Sequence, residues 1–359
     1  MAQTHRILLT GANGYIASHI LAQLLSKQTY SVRAVVRSQS KVEAIKSLFP
    51  TTPSSRLDFA IVPDMTKPGA FDEALTSSPA FDTVMHTASP FLYSVASSAQ
   101  DFLEPAVKGT TEILTGVQRV AKDSVKRVIV TSSFAAVGFD PKEVPGRIYT
   151  EADWNPVTLD RVEKTWAKGI KGPAYAASKT FAERAAWDFV QKNKNEVKWD
   201  LVTINPPMVY GPIAHSIKSM KDLSESSGQI YNGFFADKTP SSKLPRDGLT
   251  LYADVRDVAT AHIRAMEVSE ARNQRFGICG GDIRFQELAD LFRKEIPGAQ
   301  DRVPVGTPGN VNKEGAIRQD VSRAEKVLGM KWRSKEETFL DMAKQFVELE
   351  KETARASRI

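Results

Sequence analysis

The chain begins with a strand-like apolar run, a glycine-containing turn and an apolar helix, in the segment ILLTGANGYIASHILAQLL. Gly11 permits a tight turn, Gly14 lets the backbone approach a pyrophosphate, and Ala17 allows close packing of helix on strand. The N-terminus of the helix adds free N–H groups and a positive dipole, which attract phosphate. Because the turn lies between a strand and a helix, the segment predicts a dinucleotide-binding site.

The first two thirds of the chain alternate short apolar runs with helical patterns. Continuous Val, Ile and Leu runs separated by helices indicate a parallel sheet covered on both faces. We therefore predict an α/β fold, a Rossmann-type doubly wound parallel sheet with a smaller, mostly C-terminal substrate lobe. The predicted strands are residues 6–10, 31–36, 58–62, 83–86, 127–131 and 201–205, and the predicted helices include residues 15–26, 41–48, 105–121 and 174–192.

A change in composition marks the smaller lobe. Residues 211–246 are polar and rich in loop-forming residues, and the helical segments after Asp254 are broken by glycine and proline. We assign residues 1–206 to the Rossmann domain, and we expect residues 250–265 to return to it. Residues 207–249 and 266–359 form the predicted substrate-binding lobe.

Charge and cysteine content exclude several classes of function. The 359 residues carry a net charge of +6, but Lys and Arg are interleaved with 42 acidic residues and form no basic block, which argues against a nucleic-acid partner. The single cysteine, Cys279, excludes an intrachain disulfide framework and a cysteine-based zinc site, and no metal is expected. We expect no signal peptide, no transmembrane segment and a cytoplasmic location.

The end of the second predicted strand indicates which cofactor is bound. An acidic residue there would hold the ribose hydroxyls of NAD, whereas an arginine accommodates the 2′-phosphate of NADP. The sequence RAVVRSQSK has Arg37 at this point and Lys41 one helical turn later. We therefore predict NADPH, with Asp64 near the adenine amino group and Met65 against the adenine ring after the next strand.

Tyr175 and Lys179 lie four residues apart in PAYAASKTFAERAAWDF, and so on one face of a helix. A nearby ammonium favours the phenolate, so we expect Lys179 to lower the pKa of Tyr175. Ser133 ends the strand RVIVTSS, and the C-terminal ends of parallel strands face the ligand crevice. This arrangement suits carbonyl reduction, in which Ser133 binds the substrate oxygen, Tyr175 acts as general acid and Lys179 binds the nicotinamide ribose.

These residues resemble the extended branch of the short-chain dehydrogenase/reductase superfamily, with its TGxxGxxA and YxxxK motifs. VMHTASPF, RVIVTSSFAAV, YAASKTFAERAAW, INPPMVYGP and DVRDVATAH look like the fungal NADPH-dependent methylglyoxal/aldehyde reductases, with plant dihydroflavonol and cinnamoyl-CoA reductases as more distant relatives. The resemblance implies reversible reduction of aldehydes and ketones. The cofactor positions that it implies are Gly11, Ala12, Asn13, Gly14, Tyr15, Ile16, Arg37, Lys41, Asp64, Met65, Ala88, Ser89, Tyr175, Lys179, Pro206 and Val209.

The same resemblance implies a substrate pocket lined by Phe91, Phe134, Met208 and, more weakly, Tyr210. An apolar, aromatic wall suits a hydrophobic carbonyl compound better than a sugar. Two other functions stay open, namely a nucleotide-sugar epimerase or dehydratase and a non-catalytic NADP-sensing regulator. The cation at Arg37 argues against the first, and the tyrosine–lysine pair argues against the second. A homodimer is also left open.

Overall fold

The computed structural model describes residues 5–89, 96–138, 144–217 and 219–356. Its strands are β1 (His5–Thr10), β2 (Tyr30–Val36), β3 (Leu57–Ile61), β4 (Thr83–His86), β5 (Arg127–Thr131), β6 (Ile148–Tyr149), β7 (Asp200–Asn205), β8 (Met208–Tyr210), β9 (Leu251–Asp254), β10 (Gln274–Gly277), β11 (Gly281–Asp282) and β12 (Arg318–Gln319). Its α-helices are α1 (Tyr15–Leu25), α2 (Gln39–Leu48), α3 (Asp72–Leu75), α4 (Gln100–Gly116), α5 (Leu159–Trp166), α6 (Gly172–Lys192), α7 (Glu225–Phe234), α8 (Val255–Glu267), α9 (Phe285–Glu295), α10 (Ser322–Leu328) and α11 (Lys335–Ala356).

The central sheet has seven strands in the order β3-β2-β1-β4-β5-β7-β10. Every neighbouring pair in it is parallel. The order reverses between β1 and β4, which creates the crevice at the carboxyl ends of the strands where such sheets bind nucleotides. The predicted α/β Rossmann-type fold is therefore confirmed, and the six predicted strands correspond to β1 to β5 and β7.

Alternation along β1 explains how both faces of the sheet are covered. Ile7 and Leu9 belong to a core shared with α1, α8 and α10, whereas Leu8 belongs to a second core shared with α4 and α6. Successive side chains of a strand point to opposite faces, so a strand covered on both sides is apolar throughout. This is why a continuous apolar run marked the strand.

The smaller lobe has a separate aromatic core. Phe234 of α7, Phe292 of α9 and Phe346 of α11 are fully buried in this cluster. A three-stranded sheet, ordered β11-β9-β8, lies beside it and contributes Tyr210 and Tyr252 to the same cluster. The lobe is therefore built around aromatic side chains from helices distant in sequence.

The C-terminal third does not divide as the sequence suggested. Strand β10 lies within residues 266–359, which were assigned to the smaller lobe, yet it pairs with β7 and forms an edge of the central sheet. Ala324 and Leu328 of α10 also pack in the core of the Rossmann sheet. The segment QRFG has too few apolar residues to be predicted as a strand from the sequence. Only its pairing with β7 identifies it as a strand. Helix α8 packs on the sheet through Val258, in the range expected to return to it.

Candidate active site

The turn between β1 and α1 lies against the segment that follows β4. Gly11 has φ +65°, and a Cβ atom placed on it would lie 2.9 Å from the Cα atom of Ala88. Gly14 precedes the first residue of α1, and its N–H donates to the carbonyl oxygen of Gly11 over 2.8 Å. The backbone of this turn therefore makes the close approach at a helix N-terminus that a pyrophosphate requires, and Ala12, Asn13, Tyr15 and Ile16 lie in it or in the first turn of α1.

Two cations lie at the end of β2. Arg37 follows the strand directly and its side chain is exposed, while Lys41 lies in the first turn of α2. None of the described residues forms a salt bridge with either side chain. Free cations at the edge of the crevice fit the 2′-phosphate of NADPH, whereas the diol of NAD would be better held by a carboxylate.

The predicted adenine-side residues follow β3. The exposed carboxylate of Asp64 accepts hydrogen bonds from the N–H (3.0 Å) and hydroxyl (2.6 Å) of Thr66, and these bonds lower its pKa. Met65 packs against Gly109 of α4, where a Cβ atom would lie 2.6 Å from the methionine methyl group. Met65 also lines a small cavity with Ala88, Ser89 and Lys179.

The three predicted catalytic residues lie together at the carboxyl end of β5. Ser133 hydrogen-bonds to the hydroxyl group of Tyr175, and its own oxygen accepts from the N–H of Ala135 over 3.1 Å. Lys179 lies 5.9 Å from the centroid of the Tyr175 ring and donates from Nζ to Ser89 Oγ over 3.0 Å. A hydroxyl, a phenol and an amine thus converge beside the turn that follows β1.

Partial burial shifts the pKa values of Tyr175 and Lys179, whose side chains both keep some exposure. It raises the pKa of Tyr175, against a smaller opposing effect of the Ser133 hydrogen bond. The net shift is therefore upward, opposite in direction to the lowering expected from Lys179. Burial also lowers the pKa of Lys179 to about 8, opposed by the charge of Glu183. A neutral phenol is the form that can donate a proton.

The sequence from residue 7 to residue 279, most of the chain, matches the model of the NAD dependent epimerase/dehydratase family. The chain belongs to this family. The match includes β1 to β5, the turn at Gly11 and the Tyr175–Lys179 pair. It confirms the superfamily that the motifs indicated.

Relatives within this family are similar over nearly their whole length. The NADPH-dependent methylglyoxal reductase GRE2 of Saccharomyces cerevisiae is 36% identical over 349 residues, which cover 96% of this chain and 98% of that protein. Ketoreductase azaE of Aspergillus niger is 36% identical over 328 residues, 91% of this chain and 93% of that protein. The crystal structure of yeast methylglyoxal/isovaleraldehyde reductase Gre2 complexed with NADPH has a TM-score of 0.85 at 34% identity, over 96% of this chain and 99% of that chain.

The predicted pocket residues of this family member do not all face a pocket. Phe134 is 2% exposed and packs edge-on against Tyr149, and Tyr210 is 2% exposed and packs against Phe339 in the lobe core. Both belong to cores rather than to an open wall, because neighbouring aromatic rings cover them. Met208 is partly exposed beside the lobe core, and Phe91 lies outside the described residues. The aromatic-wall argument for a hydrophobic substrate is weakened accordingly.

Two further predicted cofactor residues follow β7. Pro206 is buried, and its carbonyl oxygen accepts from the N–H of Phe134 over 2.8 Å. Val209 is 9% exposed in the core beside α1, and its carbonyl oxygen accepts from Ser226 over 2.6 Å. Both residues therefore hold the start of the lobe against the Rossmann domain, next to the crevice.

Two contacts of α1 were missed from the sequence. The hydroxyl of Tyr15 donates to the carbonyl oxygen of Gly211 over 2.6 Å, and Nε2 of His19 lies 2.8 Å from the carbonyl oxygen of Pro212. They join the helix after the phosphate-binding turn to the loop after β8. The partners of Tyr15 and His19 are backbone atoms nearly two hundred residues away, so no sequence pattern predicts these two contacts.

Glu183 was missed as well, although a signal for it was present. It follows Lys179 by four residues and is 1% exposed. A carboxylate on the face of the helix that carries Lys179, where the neighbouring side chains are mostly apolar, must be paired or hydrogen-bonded. An isolated buried charge would be strongly destabilising. The pattern YxxxKxxxE could have identified it.

Within the described ranges, no helix is both long and apolar enough to cross a membrane. In the same ranges, no group of three or more His, Cys, Asp and Glu side chains is arranged to hold a metal ion.

Proposed function

We propose that the protein is an NADPH-dependent reductase of aldehydes and ketones. The observation that carries this proposal is the convergence of Ser133, Tyr175 and Lys179 beside the phosphate-binding turn. Similarity to reductases over nearly the whole chain supports it. In the reverse direction the protein would act as an alcohol dehydrogenase.

Each catalytic side chain has a role that follows from its surroundings. NADPH, when bound, supplies the hydride for the carbonyl carbon. The oxygen of Ser133 already accepts from Ala135, so its hydroxyl hydrogen, which faces the Tyr175 oxygen here, would turn to the carbonyl oxygen of a bound substrate. Tyr175 is kept protonated by burial and gives its proton to that oxygen as negative charge develops. Lys179 would hold the nicotinamide ribose, for which its ammonium is placed next to Ser89.

The remaining cofactor contacts are part of the same proposal. The turn from Gly11 to Gly14 would hold the pyrophosphate, and Arg37 and Lys41 would hold the 2′-phosphate. The exposed carboxylate of Asp64 would accept from the adenine amino group. The fit rests on Arg37 and Lys41, which form no salt bridge with any described residue, and on the tight turn at Gly11 before the N-terminus of α1.

The test is NADPH oxidation with a panel of aldehydes, diketones and aryl ketones. We expect consumption of one NADPH per alcohol formed, and a fall in kcat of about 10² to 10⁴-fold in Tyr175→Phe with NADPH binding retained. Tyr231→Phe is the matched control, because the hydroxyl of Tyr231 donates a hydrogen bond to Glu350 in the smaller lobe over 2.8 Å. The activity of this variant should match that of the parent.

Other outcomes would contradict the proposal. Turnover without net NADPH consumption would indicate an epimerase or dehydratase. NADPH binding without turnover of any carbonyl would indicate a regulator. Parent-like carbonyl reduction by Tyr175→Phe would refute the proposed role of the tyrosine.

The division into domains belongs to the same proposal. Residues 1–206 and 250–265 would bind the cofactor, and the other lobe would bind the substrate. We add β10 and α10 to the Rossmann domain. A homodimer and a cytoplasmic location stay predictions. Sedimentation equilibrium measures the first, and imaging of a tagged chain in the source cell measures the second.

A further inference from the structure

The carboxylate of Glu183 is the centre of a buried hydrogen-bond network. Its Oε2 atom accepts from Ser132 Oγ (2.5 Å) and Asn205 Nδ2 (2.7 Å). Its Oε1 atom accepts from Thr203 Oγ1 (2.9 Å) and Arg275 Nε (2.6 Å). The side chains of Glu183 and Arg275 are 0% and 9% exposed. Trp187 Nε1 donates to Oε1 as well, over 3.3 Å, so five donors surround the carboxylate.

This network joins the catalytic helix to the strands that end at the crevice. Glu183 lies on α6, one turn beyond Lys179, and its partners come from the ends of β5, β7 and β10. Asn205 also donates from Nδ2 to the main-chain oxygen of Ser133 over 3.2 Å. The carboxylate is therefore linked through one side chain to the backbone of the catalytic serine.

The guanidinium of Arg275 is itself fixed. It donates to the carbonyl oxygens of Glu151 (2.6 Å) and Asp153 (2.7 Å) and lies 3.8 Å from the ring centroid of Trp154. Glu183 is thus bound to a cation that has little freedom to move. A carboxylate anchored in this way fixes where α6 lies along the strands.

We propose that Glu183 is a positioning residue for the reaction: it sets the placement of Ser133 relative to Tyr175 and maintains Lys179 in its charged form. This inference rests on the proposed function for its consequences in catalysis. The hydrogen bonds that Glu183 accepts come from protein groups, and it acts through Asn205 and Lys179.

The charges around Lys179 support the second part. Glu183 and Lys179 line the same cavity of about 20 Å³, and the Glu183 charge raises the pKa of Lys179 against the lowering effect of burial. His86 also lines this cavity, and burial lowers its pKa to about 3, so it is neutral near pH 7. Tyr175 is a neutral phenol, and Arg275 is bound to Oε1 of the carboxylate. Glu183 is therefore the nearby anion that offsets the burial of the ammonium.

The first experiment is Glu183→Gln, with the pKa of Lys179 followed by the 13C chemical shift of its Cε atom in the cofactor-free protein. The signal is assigned by its loss in Lys179→Arg. We expect the Lys179 pKa to fall from about 8 to about 7 or below, because removing a nearby opposite charge moves a pKa by about one or more. With cofactor and substrate, kcat should fall at least about tenfold, and its alkaline limb should move to lower pH.

Thr203→Val is the matched control. It removes one hydrogen bond to the carboxylate but leaves the charge, so the Lys179 pKa should stay near about 8. Glu183→Asp tests placement separately, since it keeps the charge on a shorter side chain: it should keep the Lys179 pKa and still lower kcat.

The amide introduced by Glu183→Gln would face five donors with a single acceptor oxygen, so the single variant is at risk of misfolding. Glu183→Gln combined with Arg275→Met removes both buried charges, and the hydroxyl groups of Ser132 and Thr203 are then free to turn and accept. This double variant, checked by a cooperative urea transition, should show the same fall in Lys179 pKa and in kcat.

In a folded variant without the Glu183 charge, an unchanged Lys179 pKa or a kcat within twofold of the parent would overturn the inference. Failure of the proposed function gives a different result, because the parent itself would then reduce no carbonyl compound. The titration of Lys179 in the cofactor-free protein would still decide whether Glu183 maintains its charge.

Discussion

Gly11→Ala is the substitution whose effect the structure specifies most closely. Gly11 combines φ +65° with a position where a Cβ atom would lie 2.9 Å from the backbone of Ala88. A left-handed conformation costs an L-residue about 1 to 2 kcal/mol. The contact with a main-chain atom adds the cost of overpacking, about 1 to 3 kcal/mol, because backbone yields less easily than a flexible side chain. We expect a total loss of about 3 kcal/mol in the free energy of unfolding.

Gly298→Ala separates the two contributions. Gly298 has φ +76°, but nothing lies within 4 Å of the position that its Cβ atom would take. It precedes a short turn of helix after α9, away from the crevice. The variant should therefore lose only the conformational part, about 1 to 2 kcal/mol.

The assays are urea unfolding of the cofactor-free protein and titration of NADPH fluorescence. Gly11→Ala should also weaken NADPH binding at least about tenfold, because the turn must move to relieve its contact with Ala88. Gly298→Ala should leave the Kd unchanged. Equal destabilisation by the two substitutions, with NADPH affinity within twofold in both, would refute the argument that this turn is held close to the β4 end and binds the pyrophosphate.

Two other measurements test separate parts of the molecule. Arg37→Asp should weaken the binding of NADPH at least about tenfold more than the binding of NADH, because a charged hydrogen bond to the 2′-phosphate is replaced by repulsion. Lys46→Asp, which makes the same charge change later on α2, is the control. Equal effects of Arg37→Asp on the binding of both cofactors would count against the NADP assignment. Burial lowers the pKa of His262 to about 4. Below pH 6.5 the unfolded chain therefore binds a proton that the folded protein does not bind. As the pH is lowered from 6.5 to about 4, the free energy of unfolding falls by about 1.4 kcal/mol per pH unit. His262→Gln should lose this part of the slope in urea unfolding at pH 6.5 and pH 5, and an unchanged slope would contradict the assignment.

Local patterns predicted much of the site because they are short-range properties. The residues of the phosphate-binding turn, the cations Arg37 and Lys41, and the spacing of Tyr175 and Lys179 each depend on one turn of backbone. The carboxyl end of a parallel strand faces the crevice whichever strand it is, so Ser133 also followed from its position after β5.

Errors arose where burial depends on contacts from elsewhere in the chain. Phe134 and Tyr210 were expected on a pocket wall, but Tyr149 and Phe339 cover them. Burial in the assembled site raises the pKa of Tyr175, although a lowering was expected from Lys179. A spacing indicates which groups meet, but it does not report how much water they lose.

The sequence by itself determined the α/β class, the strands β1 to β5 and β7, the turn that would hold pyrophosphate and the spacing of the Tyr175–Lys179 pair proposed for catalysis, because each is written in the periodicity or chemistry of adjacent residues. Tertiary structure alone decided that β10 completes the sheet, that Arg275 on that strand meets Glu183 on α6, and that the pKa of Tyr175 is raised. These features depend on pairing and desolvation between segments that are far apart in the chain, and such long-range contacts leave no mark in local sequence.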